Sequence, residues 1–293
     1  MSSTVYLDDL VDSYLPFLIK EVETDPIVSV VLAVNRDDGF LKSAIESVLT
    51  QSMASLELLI IANNCSDELW VNLQKEAVKD ARVSLLRTPL GQLPYNLNVG
   101  LHHARGEFIA RMDADDIALP QRLERQLCFL RDNPAISVVG GNYQIIDEHD
   151  KVVDRPVPLR LEPERIHERL PFETCMAHPS VMMRRADVLK VGGYAYGLFA
   201  EDWDLWLRMR RAGMRFANLP DLVLRYRIHS GQSTSIQSWR RNMANVQALL
   251  LRELILTGNP KFLLSMFRHF GFQCLVLAIA SVRSWHLKFK NSR

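Results

Sequence analysis

The chain is short of several things at once. It has four cysteines in 293 residues, Cys65, Cys128, Cys175 and Cys274, and no two form a CxxC pair. Such spacing excludes a zinc ribbon or a disulfide framework and reads as reduced thiols in a cytoplasmic protein. No stretch reaches the roughly 18 uninterrupted apolar residues of a membrane span. The nearest, FGFQCLVLAIASV at 270–282, is too short. The N-terminal MSSTVYLDDLVDSYLP is acidic and lacks the basic-then-apolar order of a signal peptide. Repeats and low-complexity segments are missing too. Net charge is only +1, so a nucleic-acid partner is not expected.

That small net charge conceals an asymmetry. Residues 237–293 hold nine Lys/Arg and one acid, Glu253, a balance of +8 that leaves −7 on the rest of the chain. What is present in quantity is apolar: 48% hydrophobic against 24% charged residues suits a globular protein with a sizeable core. At about 150 residues per domain, the length allows two domains or one with appendages.

IVSVVLAV (27–34) is β-branched and apolar on both faces, the pattern of a central parallel strand. Leu41, Ala44, Ile45, Val48 and Leu49 then fall on one face of a helix. LELLIIA (56–62) is a second strand, and a helix capped by Ser66 or Asp67 follows. VSLLR (83–87), a helix ending at Gly106, and EFIARM (107–112) continue the alternation. It predicts an α/β fold with a mainly parallel sheet, in which ligands sit beyond the carboxyl ends of the strands. The second half is more mixed: a helix at 119–132, strand-like ISVVGG and YQIID, a Pro-rich link, PSVMMRR, a helix near 202–212, and LVLRYRI. Two helices follow from about residue 237.

Two acidic groups stand out. Asp113, Asp115 and Asp116, in ARMDADDIALP, lie where the fourth strand leaves the core. Close carboxylates repel unless a cation sits among them, and hard oxygen ligands suit Mg²⁺ or Mn²⁺. A solvated turn with Asp116 capping the next helix explains the pattern as well. In AEDWDLW, helical spacing puts Asp202 on the arc of Leu205, Trp206 and Met209. Asp204 falls opposite, beside Arg208, where an i,i+4 ion pair is natural. Asp202 is then either an inward base or an N-terminal capping carboxylate. Burial raises its pKa while the helix terminus lowers it, and an ionised base is the expected balance.

LNVGLHHARGEFIARMDADDIALPQRLERQLCFLRDNP resembles the nucleotide-sugar core of family-2 inverting glycosyltransferases with the GT-A fold. VSVVLAVNRDDGFLKSAIESVLTQS is similar to the family's first strand and helix, and HPSVMMRR, VGGY, AEDWDLWLRMRRAG and LRYRIHSGQSTS to its acceptor half. The resemblance implies a catalytic domain at 27–236, with a nucleotide-sugar half (27–118) and an acceptor half (119–236). It leaves an N-terminal extension at 1–26 and a helical region at 237–293. It further implies that Asp115 binds Mn²⁺ or Mg²⁺, that Asp113 contacts ribose or the metal shell, and that Asp202 is the catalytic base. His229 would complete the metal site or touch diphosphate, with Arg227 as a further phosphate partner. Ala33, Asn35, Asn63, Asn98, Arg111 and Ala114 would flank the donor.

The pattern departs in places. ANNCSD stands where an aspartate pair is usual, so Asn63 leaves base choice open, with a UDP-sugar the first guess. His178 is either an acceptor-side residue or a satisfied buried histidine. The acceptor implied is a sugar or lipid-linked glycan, in surface-polysaccharide or lipopolysaccharide assembly. The basic C-terminal helices suit either the inner face of the plasma membrane or packing on protein, including a dimer partner. A nucleotidyltransferase and a catalytically silent nucleotide-sugar-binding scaffold are the rival readings.

Overall fold

The computed structural model describes residues 17–18, 25–153, 159, 162–195, 200–229 and 236–271, with backbone alone at 17–18 and 236–242. Most of the N-terminal extension, the HSGQSTS motif after His229, most of the Pro-rich link and the basic tail from 272 lie outside the described residues.

Among the described residues nine strands form one sheet: β1 (Phe17–Leu18), β2 (Val28–Val34), β3 (Leu56–Asn63), β4 (Val83–Thr88), β5 (Phe108–Asp113), β6 (Ile117–Ala118), β7 (Ile136–Ile146), β8 (Met182–Arg184) and β9 (Arg215–Arg227). Their order is β1-β4-β3-β2-β5-β8-β7-β9-β6. Strands β4, β3, β2 and β5 are mutually parallel, as are β7 and β9; the short β1, β8 and β6 run against their neighbours. The helices are α1 (Leu41–Leu49), α2 (Asp67–Lys79), α3 (Leu93–His103), α4 (Arg122–Asp132), α5 (Pro163–Arg169), α6 (Arg185–Lys190), α7 (Glu201–Arg211) and α8 (Ile236–Thr257). A further helical run covers 260–271.

Both faces of the central strands are covered, which is why they lack polar alternation. Val30, Leu32, Leu58 and Ile60 pack with α1, α2 and α4, whereas Val31, Leu59 and Ile61 face α3, α7 and α8. The Ser66 hydroxyl caps α2 by accepting the Leu69 N–H at 3.2 Å.

Three features differ from expectation. ISVVGG and YQIID form one strand, β7, because register shifts at 141–143 against β9 let the ladder pass Pro220. The Asn142 carboxamide ties this bulge by donating to the Pro220 carbonyl at 2.8 Å. Strand β6 falls just before the anticipated 119–132 helix and pairs with Leu224 and Arg225 of β9, bringing the acidic turn beside the end of that strand. Finally, α7 is covered on several sides: Trp203, Asp204, Leu205, Trp206 and Met209 are all buried. Asp204 does pair with Arg208 at 2.8 Å, but not on a solvated face, since Arg252 of α8 reaches it at 2.6 Å. Helical periodicity missed this because α8, from far along the chain, supplies the cover.

Candidate active site

Parallel pairing aligns the ends of β2, β3 and β5, with Ala33 opposite both Ile61 and Asp113. Beyond these ends lies a cavity of about 360 Å³. Ala33 and Asn35 line it from β2, Asn63 from β3, and Arg111, Asp113, Ala114 and Asp115 from β5 and its turn. His229 closes it from beyond β9. Phe40, Tyr226, Gly91 and Leu93 also line it and have no sequence signal of their own, since single aromatic, apolar and glycine positions carry no chemical signature.

Each carboxylate of the acidic turn is held differently. Asp113 takes a two-pronged ion pair from Arg111, at 2.6 and 2.5 Å. Asp115 Oδ2 lies 3.0 Å from His229 Nε2. Asp116 is 1% exposed; its Oδ1 accepts the Arg227 backbone N–H at 2.9 Å, while its Oδ2 is buried with no partner. One oxygen of each lies within 4.8 Å of the others. Burial raises the Asp113 pKa, Arg111 opposes this, and Asp115 adds to it. Asp116 is pushed well above the usual carboxylate range by burial, then by Asp113 and Asp115. Three crowded oxygens, one orphaned and buried, fit a small hard cation.

Arg227 is not free for phosphate. Its guanidinium donates to the carbonyls of Asp115 (2.8 Å) and Asp147 (2.9 Å), pairs with Asp150 at 2.6 Å and lies 4.3 Å from the Phe40 ring centre. The Phe40 ring also meets His229 at 5.0 Å. Arg227 therefore braces the turn that presents Asp115.

Asn98 is likewise absent from the cavity lining. Its amide donates to the Tyr194 carbonyl at 2.7 Å, and its oxygen accepts the Tyr194 N–H at 2.8 Å. It clamps a loop 96 residues away. Gly193, at φ 67°, has no room for a Cβ against that carboxamide. Arg208 fixes the same loop by donating to the carbonyls of Val191 and Gly193, both at 2.7 Å.

Asp202 is the second residue of α7, whose N-cap Ala200 has a φ of 63°, unusual for a residue with a Cβ. It does not line the cavity. Its Oδ1 accepts its neighbour's N–H, from Trp203, at 2.7 Å. Burial, then Glu201, raises its pKa to about 7, with the Trp203 hydrogen bond and Arg111 pulling the other way. Desolvation outweighs the helix terminus, contrary to the expected fully ionised base. Electrostatics link this acid to the cavity: Arg111 acts on both Asp113 and Asp202, and the Tyr194 hydroxyl feels Arg111, Glu201, Asp202 and Asp113. His178 is buried and kept neutral by burial and by Arg111; its Nε2 lies 2.9 Å from the Tyr194 hydroxyl, the satisfied buried histidine of the two readings.

A mainly parallel sheet thus carries an acidic turn at its strand ends, beside a helix that opens on a second acid pair. The sequence matches the family described as Glycosyl transferase family 2 over residues 29–192, and the chain belongs to that family. It is 36% identical over 209 residues to the O-antigen biosynthesis glycosyltransferase WbnJ of Escherichia coli, covering 70% of this chain and 80% of that one. It is 30% identical over 216 residues to the amylovoran biosynthesis glycosyltransferase AmsE of Erwinia amylovora, covering 72% and 79%. The fold is shared with S. aureus TarS 1–349 in complex with UDP-GlcNAc, at TM-score 0.64 and 16% identity over 84% of this chain and 73% of that one. It is shared too with the mannosyltransferase PcManGT of Pyrobaculum calidifontis in complex with GDP-Man and Mn²⁺, at TM-score 0.57 and 15% identity, covering 90% and 81%. The sequence comparison shows a glycosyltransferase, and the structural comparison shows the GT-A-type α/β fold.

Proposed function

We infer that this glycosyltransferase is metal-dependent and inverting, and that it moves a sugar from a nucleoside-diphosphate sugar to a hydroxyl acceptor. The observation that carries the reading is the Asp113–Asp115–Asp116 turn with His229 at the mouth of the cavity, linked through Arg111 to Asp202. Asp115, Asp113 and His229 are the residues that would hold Mn²⁺ or Mg²⁺, which when bound supplies positive charge beside a departing diphosphate.

The chain's own groups do the rest. Ala33, Asn35 and Asn63 flank the nucleobase, with uracil the first choice because the Asn63 carbonyl oxygen can accept from it. Arg111 keeps Asp113 oriented. Asp202, with a pKa of about 7, suits proton abstraction at neutral pH, where a base works best. It takes the proton of an acceptor hydroxyl as that oxygen attacks the anomeric carbon opposite the leaving diphosphate. One displacement inverts configuration without a covalent bond to the protein. The acceptor is a sugar or lipid-linked glycan in cell-surface polysaccharide or lipopolysaccharide assembly on the cytoplasmic side of the membrane; the similarity to WbnJ and AmsE supports this context.

A panel of nucleotide sugars with and without Mn²⁺, scored by thermal shift and by released nucleoside diphosphate, tests the proposal. Mn²⁺-dependent release of an intact nucleoside diphosphate is expected. Pyrophosphate release would point instead to nucleotidyl transfer, and donor binding without turnover at any acceptor would indicate a silent binding protein.

A further inference from the structure

The helical run at 260–271 has a buried side and an exposed side, and the exposed side carries a row of large apolar residues. Phe262 and Ser265 on one side are fully buried. On that same side His269 lies 3.1 Å from the Phe172 carbonyl and 5.5 Å from the Trp203 ring centre. The other side presents Leu263, Leu264, Phe267 and Phe270 to solvent, Phe267 at 67% exposure. Ile255 and Leu256, on the last turn of α8 just before the Gly258 bend, are exposed as well, Ile255 at 73%. These are not scattered: of thirteen large apolar side chains exposed among the described residues, seven fall within 251–270. A grouped apolar patch of this kind marks an interaction surface.

Charge selects what covers it. The only acid in 237–293, Glu253, is 1% exposed and held inside by Arg211 at 2.5 Å and Arg252 at 2.9 Å. Among its described residues this region therefore shows no carboxylate to solvent, whereas Lys261 and Arg268 are exposed on the same helix as the apolar face. The sequence continues into RSWHLKFKNSR at 283–293, with four more cations and no acid. A second copy of the chain would bring the same positive charge to the contact. An anionic lipid surface accepts both the apolar side chains and the cations around them.

We propose that the outer face of 260–271, with the last turn of α8, docks the protein on an anionic bilayer. Arg252 of α8 is paired to Asp204 of α7, so the docking face is tied to the helix that carries Asp202. The proposal goes beyond the transfer chemistry and does not depend on it.

Flotation of the full chain with phosphatidylglycerol–phosphatidylcholine vesicles, against phosphatidylcholine alone, tests it without reading activity. The full chain is expected to float with the anionic vesicles at least tenfold more than with the neutral ones. Leu263→Ser with Leu264→Ser and Phe267→Ser should abolish flotation at an unchanged melting temperature. Lys261→Glu with Arg268→Glu should weaken it about tenfold or more. No flotation of the parent chain, or undiminished flotation of the triple-serine variant, overturns the proposal. So does a parent dimer that the serine variant makes monomeric, since the face is then a subunit contact. A lower melting temperature of that variant with unchanged flotation also overturns it, because the face is then covered by residues 272–293.

Discussion

The acids at the two ends of the candidate reaction path are held by opposite means. The turn at 113–116 sits at the mouth of a cavity and is braced by side chains and backbone: Arg111 on Asp113, His229 against Asp115, and the Arg227 N–H on Asp116. Among the described residues no cation pairs directly with Asp202; burial and the neighbouring Glu201 dominate its surroundings. The first arrangement crowds acids whose pKa values burial and mutual repulsion raise and whose charge a bound cation would restore, and the second leaves one acid with a pKa of about 7. One group is suited to holding charge and the other to moving a proton.

The sharpest break in this comparison separates binding from turnover. Asp202→Asn is expected to lower kcat by about 10²–10⁴-fold while leaving the Mn²⁺-dependent thermal shift with donor intact. Asp115→Ala should remove that shift as well as turnover. Near-normal turnover in Asp202→Asn would sink the base assignment, and a retained shift in Asp115→Ala would sink the metal assignment.

Next in size is the pH dependence. A base must be ionised, so kcat/KM should rise with pH through about 7, following the raised Asp202 pKa. Glu201→Gln removes a neighbouring negative charge and should move this limb to lower pH. Stability runs the other way. Between the unfolded carboxyl pKa of about 4 and the folded value near 7, the native state binds the extra proton, so raising pH across that window costs stability. Asp202→Asn should flatten this part of a melting-temperature profile; an unchanged profile would show that Asp202 does not titrate there.

The smallest effect concerns the brace on the acceptor side. Asn98→Ala leaves both the N–H and the carbonyl of Tyr194 without their partners, at a cost of about 1–3 kcal/mol. A chemical-denaturation series should detect it, with the donor-dependent thermal shift preserved. A lost shift with unchanged stability would return Asn98 to the donor site.

Local pattern reaches some of these residues and not others. The strands β2, β3, β4 and β5 were legible because both their faces are apolar, and the acidic turn because carboxylates at a strand exit are conspicuous. The resemblance implies donor and phosphate contacts for Asn98 and Arg227, and no local pattern shows the hydrogen bonds they make within the fold. Those partners, Tyr194 and the carbonyls of Asp115 and Asp147, lie about 80–112 residues away in sequence. Asp204 looked solvent-facing because helical periodicity describes one helix and says nothing of α8.

By itself, the sequence determined the β/α alternation, the rim where ligands gather, and the family to which the chain belongs, since all three rest on short-range pattern and motif order. The tertiary structure decided which acid is desolvated, which arginine is occupied by carbonyls and which side of the last described helix is left uncovered. Those outcomes depend on contacts between segments far apart in the chain, where burial and pairing set the free energy of each charge.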